Sequence, residues 1–176
     1  MRAATLLLLL HLAFAAFASA ITPPEPWHTH KIFSANKRFY ARVTPDGKTS
    51  IKEARRLGWF AKSLWSTPNY FEYALLSDDG SFLVSSNTLI APPFLKNQMV
   101  IEIYHRDGVK KLNLGLFVND PRKLQDAMGF KSFGGATALD GDWIIVDNGA
   151  GKIFAVNART GKLRLKTEGK GNHSRP

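Results

Sequence analysis

The sequence predicts a mainly β domain made of antiparallel β-meander repeats, with one or two short helices. Three observations support this prediction. A polar turn followed by an aromatic-led strand occurs three times, Asp-Gly or Thr-Gly dipeptides separate apolar runs, and the first two turn-strand segments start 43 residues apart. Because Asn, Asp and Gly tolerate left-handed backbone or bond their own main chain, each turn is expected to deliver the chain into a strand.

The repeated elements are identified by two kinds of signal. The turn-strand segments are Ser34–Val43, Ser77–Val84 and Ala138–Val146. The second signal is a dipeptide between apolar runs, which is typical of a hairpin and occurs at Asp46-Gly47, Asp107-Gly108 and Thr160-Gly161. Together these signals predict strands joined in sequence order.

The third segment starts 61 residues after the second, so an insertion is expected between them. Asp120 suits a helix N-cap, Pro121 the first helical position and Gly129 the stop, which predicts a short helix over Arg122–Met128. Residues 51–57 stay open, because Ser50 and Glu53 have capping-box spacing while the same stretch also fits a strand.

Part of this pattern resembles a known architecture. Ser77–Val84, followed by Val100–Tyr104 and Asp107-Gly108, resembles one blade of the bacterial propeller-type repeats found in WD40-like and quinoprotein-like families, and Gly151–Lys162 is similar to a hairpin of those repeats. The resemblance covers about residues 33–166 and implies architecture, not activity. Closed propellers have four or more blades and this chain offers three, so an incomplete propeller is implied. Quinone-cofactor chemistry is not carried over.

The N-terminus predicts a cleavable signal peptide over residues 1–20. Arg2 supplies the positive start, Leu6–Phe17 the apolar region, and Ala18-Ser19-Ala20 the small-residue pattern before cleavage after Ala20. A membrane anchor is the alternative, but the apolar stretch is shorter than the roughly 20 residues that a bilayer core requires. The mature protein is therefore expected to be secreted or periplasmic, with no transmembrane segment.

The remaining chain is expected to form one domain. Residues 21–32 predict an extended lead-in, residues 33–167 a single β-repeat domain, and residues 168–176 a disordered basic tail. The sequence contains no cysteine, which excludes disulfides, thiolate catalysis and cysteine-ligated metals. A domain of this size buries enough surface to fold without such cross-links.

Charge bears on the expected partners. The 24 basic and 14 acidic residues give a net charge of +10, of which the signal peptide carries one. This excess favours an anionic glycan, lipid or protein partner, or simply a solvated surface. Nucleic acid is not expected, because no run of like charges forms a binding arm and the protein is expected to be exported. The missing blades also suggest pairing with a second copy as a homodimer.

No catalytic, cofactor or metal site is predicted. His28 and His30 have a spacing that can begin a zinc or copper site, but the sequence offers no further ligands at a recognisable spacing. The acidic segments Asp78-Asp79-Gly80 and Asp140-Gly141-Asp142 are interpreted as turns, because neither has the ligand alternation of a calcium loop. Glu72 and Asp78 are assigned no acid-base role, and no catalytic serine motif occurs.

The aromatic residues supply the last candidate for a binding surface. Trp59–Tyr73 is dense in aromatic residues, with Lys62 between two tryptophans, so this stretch fits either plain core packing or a surface for a glycan or partner. The sequence thus favours a secreted β-repeat binding or scaffold module of unknown ligand. The alternatives are a cell-envelope enzyme with an unrecognised site, and a structural subunit that completes its sheet with another chain.

Overall fold

The computed structural model describes residues 27–54 and 61–168. In these residues the chain is mainly β, with four antiparallel sheets. Sheet A contains β1 (His30–Phe33), β2 (Phe39–Val43), β3 (Thr49–Glu53) and β4 (Lys62–Thr67), paired in that order. Sheet B contains β5 (Leu75–Leu76), β6 (Phe82–Ser86), β8 (Met99–His105) and β9 (Gly108–Asn113), again in sequence order.

The other two sheets come from the C-terminal half and from the connections. Sheet D contains β12 (Gly135–Asp140), β13 (Trp143–Asp147), β14 (Lys152–Asn157) and β15 (Leu163–Glu168), paired in order. The small sheet C joins β10 (Asp126–Ala127) and β11 (Phe130–Ser132) to β7 (Leu89–Ile90), which lies in the connection between β6 and β8. Sheets A, B and D are therefore four-stranded meanders, and sheet C is an addition to them.

Each predicted turn-strand segment leads into the second strand of a four-stranded sheet. Two of the turns share one hydrogen-bond pattern: the backbone N–H of Ser34 donates to the carbonyl of Phe39, and that of Ser77 donates to the carbonyl of Phe82, both at 3.0 Å. The serine hydroxyl oxygens accept from the backbone N–H of Phe39 and Phe82 in turn. The serine thus closes the turn from both sides.

The three hairpin dipeptides also lie in turns between paired strands. Gly47 lies between β2 and β3, Gly161 lies between β14 and β15, and Gly108 is the first residue of β9 after the β8–β9 turn. Each of the three has positive φ. The first hairpin joins the second and third strands of its sheet, whereas the other two join the third and fourth. The dipeptides therefore mark hairpins without marking the same position in each sheet.

The predicted helix over Arg122–Met128 is wrong. In this segment the structure has a short 3-10 turn, Pro121–Lys123, and another 3-10 turn precedes it at Leu114–Leu116. Asp120 does cap the turn, since its side chain accepts from the backbone N–H of Arg122. The chain then becomes extended, because Met128 and Gly129 both have positive φ and form the two-residue loop of the β10–β11 hairpin. The glycine expected to stop a helix instead forms this hairpin loop.

Three other boundaries can be compared with the structure. Of residues 51–57, the described part includes the end of strand β3 at Glu53, and residues 55–57 lie outside the described residues. Strand β1 begins at His30, inside the segment 21–32, and β15 ends at Glu168, one residue beyond the expected end of the domain. The signal peptide, its cleavage after Ala20 and the tail beyond Glu168 lie outside the described residues.

Sheet B lies between sheets A and D and supplies one face to each of two cores. Leu83 and Tyr104 pack toward sheet A, together with Phe39, Ile51 and Trp65. The alternate residues of the same strands pack toward sheet D in a core that contains Phe82, Val84, Ile101, Ile103, Ile144, Val146 and Val156. Because successive side chains of a strand point to opposite faces, one sheet organises both cores.

Candidate functional site

The first strands of the three meanders lie next to one another. Strand β5 contacts both β1 and β12. At one end of these strands the turns of the three sheets surround a cavity of about 580 Å³. This is the size range of small-ligand sites, which favour junctions between structural units.

The cavity has an apolar floor and an acidic rim. Phe33, Leu75, Leu76 and Leu139 supply the floor, and Phe33 is 53% exposed although it is a large apolar side chain. The rim contains the carboxylates of Asp78, Asp79 and Asp142, which come from the turns of sheets B and D. An apolar floor with a few polar groups at its edge suits a ligand that has an apolar body and a hydrogen-bond-donating or cationic group.

The turn of sheet A is tied to the turn of sheet B. The backbone N–H of Asn36 donates to Oδ1 of Asp78 at 2.8 Å, and Nδ2 of Asn36 donates to the backbone carbonyl of Asp78, also at 2.8 Å. Within sheet A, the Asn36 side-chain oxygen accepts from the backbone N–H of Arg38 and from the hydroxyl of Ser34. These bonds fix the spacing between the two turns at the cavity rim.

Arg159 ties the turns of sheets B and D together. Its Nε donates to Oδ2 of Asp142 at 2.8 Å, and one terminal nitrogen donates to Oδ2 of Asp79 at 3.3 Å. The hydrogen bond and charge of Asp142, with the charge of Asp79, raise the pKa of Arg159 above its usual value. The rim is thus a bonded set of charges rather than three free carboxylates.

Asp79 is held in its ionised form. Partial burial opposes ionisation, but hydrogen bonds from Ser81 and Ser77 and the charge of Arg159 outweigh it, so the pKa of Asp79 lies below its ordinary value. The backbone N–H of Ser81 donates to Oδ1 at 2.9 Å. A carboxylate in this state accepts hydrogen bonds and stabilises positive charge at neutral pH.

Both acidic segments interpreted as turns lie in turns of the structure and reach the same cavity. Asp78 and Asp79 belong to the β5–β6 turn, and Asp142 to the β12–β13 turn. Asp78 is engaged by Asn36, as described above, and Glu72 is an exposed residue before β5. Within residues 27–54 and 61–168, no group of three or more His, Cys, Asp or Glu side chains is placed to hold a metal ion.

The two histidines of the His-x-His segment are neighbours, with ring centroids 5.2 Å apart. Nε2 of His30 lies 2.8 Å from the backbone carbonyl of Phe71, so this nitrogen donates a hydrogen bond. The ring also packs edge-on against Tyr70, at 5.6 Å between centroids. His30 therefore anchors β1 to the segment before β5.

The aromatic stretch from Trp59 to Tyr73 divides between core and surface. Trp65 is buried and its Nε1 donates to the backbone carbonyl of Gly80 at 2.8 Å, and Phe71 packs edge-on against Tyr104. Tyr70 stacks on Trp27, at 4.8 Å between centroids. Tyr73 is 81% exposed, Lys62 is exposed, and Trp59 lies outside the described residues. The described part mainly joins sheets A and B.

Two residues that hold the carboxylates of the cavity rim are not predicted by the sequence. The sequence patterns place Asn36 only in a turn and Arg159 only in the Thr160-Gly161 hairpin. Their partners, Asp78 and Asp79, lie 42 and 80 residues away. The one signal in the sequence is position, because both residues lie in predicted turns. Which turns come together depends on how the sheets pack, and the sequence pattern does not give this.

No protein-family model and no curated protein matches the chain. In the part of the chain that the structure describes, no helix is long and apolar enough to cross a bilayer.

Proposed function

We propose that the protein is a secreted or periplasmic binding module, built as an incomplete propeller, whose ligand occupies the cavity between the turns of sheets A, B and D. The observation that carries this proposal is the cavity itself, with its largely leucine floor and bonded acidic rim. The ligand would be small, with an apolar body and a cationic or hydrogen-bond-donating group. Export is supported by the signal-peptide pattern of residues 1–20.

The state of the carboxylates supports binding rather than proton transfer. Among the described residues, every carboxylate whose pKa departs clearly from its ordinary value has a lowered pKa: Asp46, Asp79, Glu102 and Asp120. A general acid or base at neutral pH requires a pKa near the working pH, which for a carboxylate means a raised value. The cavity rim offers charge stabilisation and hydrogen-bond acceptors instead.

The net charge of the protein and the charge of the cavity rim favour different partners. The net charge of +10 favours anionic partners over the surface as a whole, whereas the carboxylates favour cationic groups at the cavity. A ligand bound in the cavity and an anionic partner bound elsewhere are therefore different interactions, and they are tested with different probes.

The test uses two indole probes that differ in charge, tryptamine and indole-3-acetate. Each is titrated into the isotope-labelled protein, and the amide signals of Ser77 and Leu139 are followed by NMR. We expect tryptamine to shift both signals at millimolar concentration and indole-3-acetate to shift them less. Shifts that avoid the cavity, or that are larger for indole-3-acetate, would contradict the proposal.

Two alanine substitutions supply a matched pair. Ala35 and Ala54 are both exposed and lie in connections of sheet A, but only Ala35 lines the cavity. We expect Ala35→Trp to fill the cavity and abolish the tryptamine shifts, and Ala54→Trp to leave them unchanged. Equal binding by the two variants would place the probe outside the cavity.

A further inference from the structure

The two terminal sheets each leave one face without a partner among the described residues. Sheet B is covered on both faces, by sheet A on one side and by sheet D on the other. The inner faces of sheets A and D pack on sheet B. Their opposite faces, which we call outer face A and outer face D, are exposed at the two ends of this arrangement.

Outer face A is aromatic and basic. The strand register places Phe33 opposite Tyr40, Tyr40 opposite Lys52, and Lys31 opposite Arg42, so these five side chains share one face. The rings of Phe33 and Tyr40 lie 5.9 Å apart, and Nζ of Lys31 lies 4.9 Å from the centre of the Tyr40 ring. The four strands of sheet A, as the structure describes them, place no carboxylate on this face.

Outer face D carries apolar side chains, carboxylates at its margins and one arginine, Arg164, which the register places opposite Ala155. The register places Trp143, Ile145 and Asp147 of β13 on this face, with Ala155 and Ile153 opposite the last two. Ala155 is fully buried although it belongs to neither core, and its strand partners on this face are Ile145 and Arg164. Asp140 lies opposite Trp143, and Arg164 lies over the Trp143 ring at 3.9 Å.

We propose that a second copy of this chain covers these faces, with outer face A of each copy packed on outer face D of the other. Three four-stranded sheets from each copy would then form a ring of six around one central cavity. Such a dimer has two identical contacts related by a two-fold axis, so it closes and does not grow further.

The two faces match in charge when their cavity ends coincide. At that end outer face A carries Lys52 beside Tyr40, and outer face D carries Asp140 beside Trp143. At the far end outer face A carries Lys31 and Arg42, and outer face D carries Asp147. Opposite charges at both margins favour this position of the contact, while the positive charge of Arg164 stays over the Trp143 ring of its own sheet.

The area is sufficient for a stable contact. Strands lie about 4.8 Å apart and rise about 3.3 Å per residue, so a face of four five-residue strands covers roughly 300 Å². Two contacts involve four such faces, or roughly 1,200 Å², which reaches the lower bound of specific interfaces. Phe33 on outer face A and Ala138, opposite Ile145 on outer face D, also line the cavity, so each copy would extend the cavity wall of the other.

A second copy fits both faces better than an anionic polymer does. A polyanion satisfies Lys31, Arg42 and Lys52, but it leaves the apolar side chains of outer face D uncovered. A second copy covers both faces with one kind of contact made twice. The inference goes beyond the proposed ligand binding and does not depend on the identity of the ligand.

The test measures the mass of the purified protein, as processed by the host, by sedimentation equilibrium. We expect a dimer at high micromolar concentration. Lys52→Glu and Asp140→Lys should each weaken it at least tenfold, because each change places like charges at both contacts. An equimolar mixture of the two variants should restore dimers, since one contact then has the wild-type charges and the other has them exchanged.

The controls carry the same charge changes on exposed turns outside both faces, namely Lys48→Glu in the β2–β3 turn and Asp107→Lys in the β8–β9 turn. Both should dimerise as the wild type does, and circular dichroism should show the same fold for all variants. A wild-type protein that stays monomeric at high micromolar concentration would overturn the proposal. So would a dimer that Asp140→Lys does not weaken, or a monomer that binds heparin through Lys52.

Discussion

The two cores on either side of sheet B are built from different side chains. The core between sheets B and D is mainly aliphatic and is extended by residues of the connections, including Ile90, Leu114 and Phe133. The core between sheets A and B is smaller among the described residues and largely aromatic, with Phe39, Trp65, Phe71 and Tyr104. One sheet therefore holds its two neighbours by different means.

The two cores differ in whether a core side chain itself makes a hydrogen bond to the neighbouring sheet. Burial of aliphatic surface stabilises in proportion to area and tolerates small rotations. Hydrogen bonds join the sheets on both sides, from Asn36 to Asp78 between A and B and from Ala136 to Ser86 between D and B. On the A side the buried Trp65 ring also donates to Gly80, so this core side chain requires a fixed position. We therefore expect substitutions to act through lost volume on the D side of sheet B, and through lost geometry on the A side.

The largest expected effect is in the core between sheets B and D. Phe82 is almost fully buried, so Phe82→Ala should reduce the free energy of unfolding by about 3–5 kcal/mol through lost burial and a cavity. Phe130→Ala is the control, because Phe130 is 39% exposed and belongs to sheet C. Urea denaturation measures both. A loss below about 1 kcal/mol for Phe82→Ala would show that this core does not dominate stability.

A pair of glycines tests the contact between sheets A and B. Gly80 lies in the turn before β6 and Gly141 in the turn before β13, with φ values of 69° and 57°. A Cβ on Gly80 would lie 2.7 Å from Cδ1 of Phe39, whereas one on Gly141 would meet nothing within 4 Å. Gly141→Ala should cost about 1 kcal/mol from backbone strain, and Gly80→Ala about 2–4 kcal/mol. Equal losses in the free energy of unfolding, measured by urea denaturation, would mean that Phe39 of sheet A is not packed closely against this turn.

A smaller effect is expected at Trp65. Trp65→Phe keeps an aromatic ring but removes the N–H that donates to the carbonyl of Gly80, so it should cost about 1–3 kcal/mol. Trp143→Phe is the control, because a phenyl ring on outer face D can keep the contact with Arg164 and should cost less. Thermal unfolding of the two variants checks the difference, and an equal change in Tm would contradict a directional contact on the A side.

The smallest effect is the pH dependence of Asp79. Its pKa is lower in the folded state than in the unfolded chain, so its contribution is present above the unfolded value of about 3.9 and is lost as the pH falls through the folded value. Because the side chain is about half exposed, the effect should be small and should weaken with salt. Asp79→Asn should lower stability at pH 7 and have a flatter stability profile below about pH 4. A steeper profile for the variant would reverse the assigned sign.

Local structure was predictable from the sequence, and packing between sheets was not. The turns at Ser34, Ser77 and Asp140-Gly141 are predictable because the residues that form them are adjacent. The helix at Arg122–Met128 was predicted wrongly because Asp120-Pro121 does start a helical turn, but the left-handed pair Met128-Gly129 favours a hairpin. A cap alone does not determine how far a helix extends.

The candidate site lies beyond such local signals. Its floor joins Phe33, Leu75 and Leu139. The rim carboxylates of Asp78 and Asp79 are bonded to Asn36 and Arg159, and only the packing of three sheets brings these residues together. The aromatic stretch before Tyr73 presents the same difficulty, because density of aromatic residues does not distinguish the buried Trp65 from the exposed Tyr73. The site could not be predicted because its residues are far apart in the sequence. The aromatic stretch could not be divided into core and surface because the sequence does not give the direction of each side chain.

Native-state hydrogen exchange tests the comparison of the two cores most directly. It gives a free energy of opening for the amides of the central strands, β2 and β3 in sheet A and β13 and β14 in sheet D. We predict that β13 and β14 exchange only through global unfolding, while β2 and β3 exchange at a lower free energy because sheet A separates from sheet B first. Equal free energies of opening in the two sheets, or a lower value in sheet D, would contradict this account.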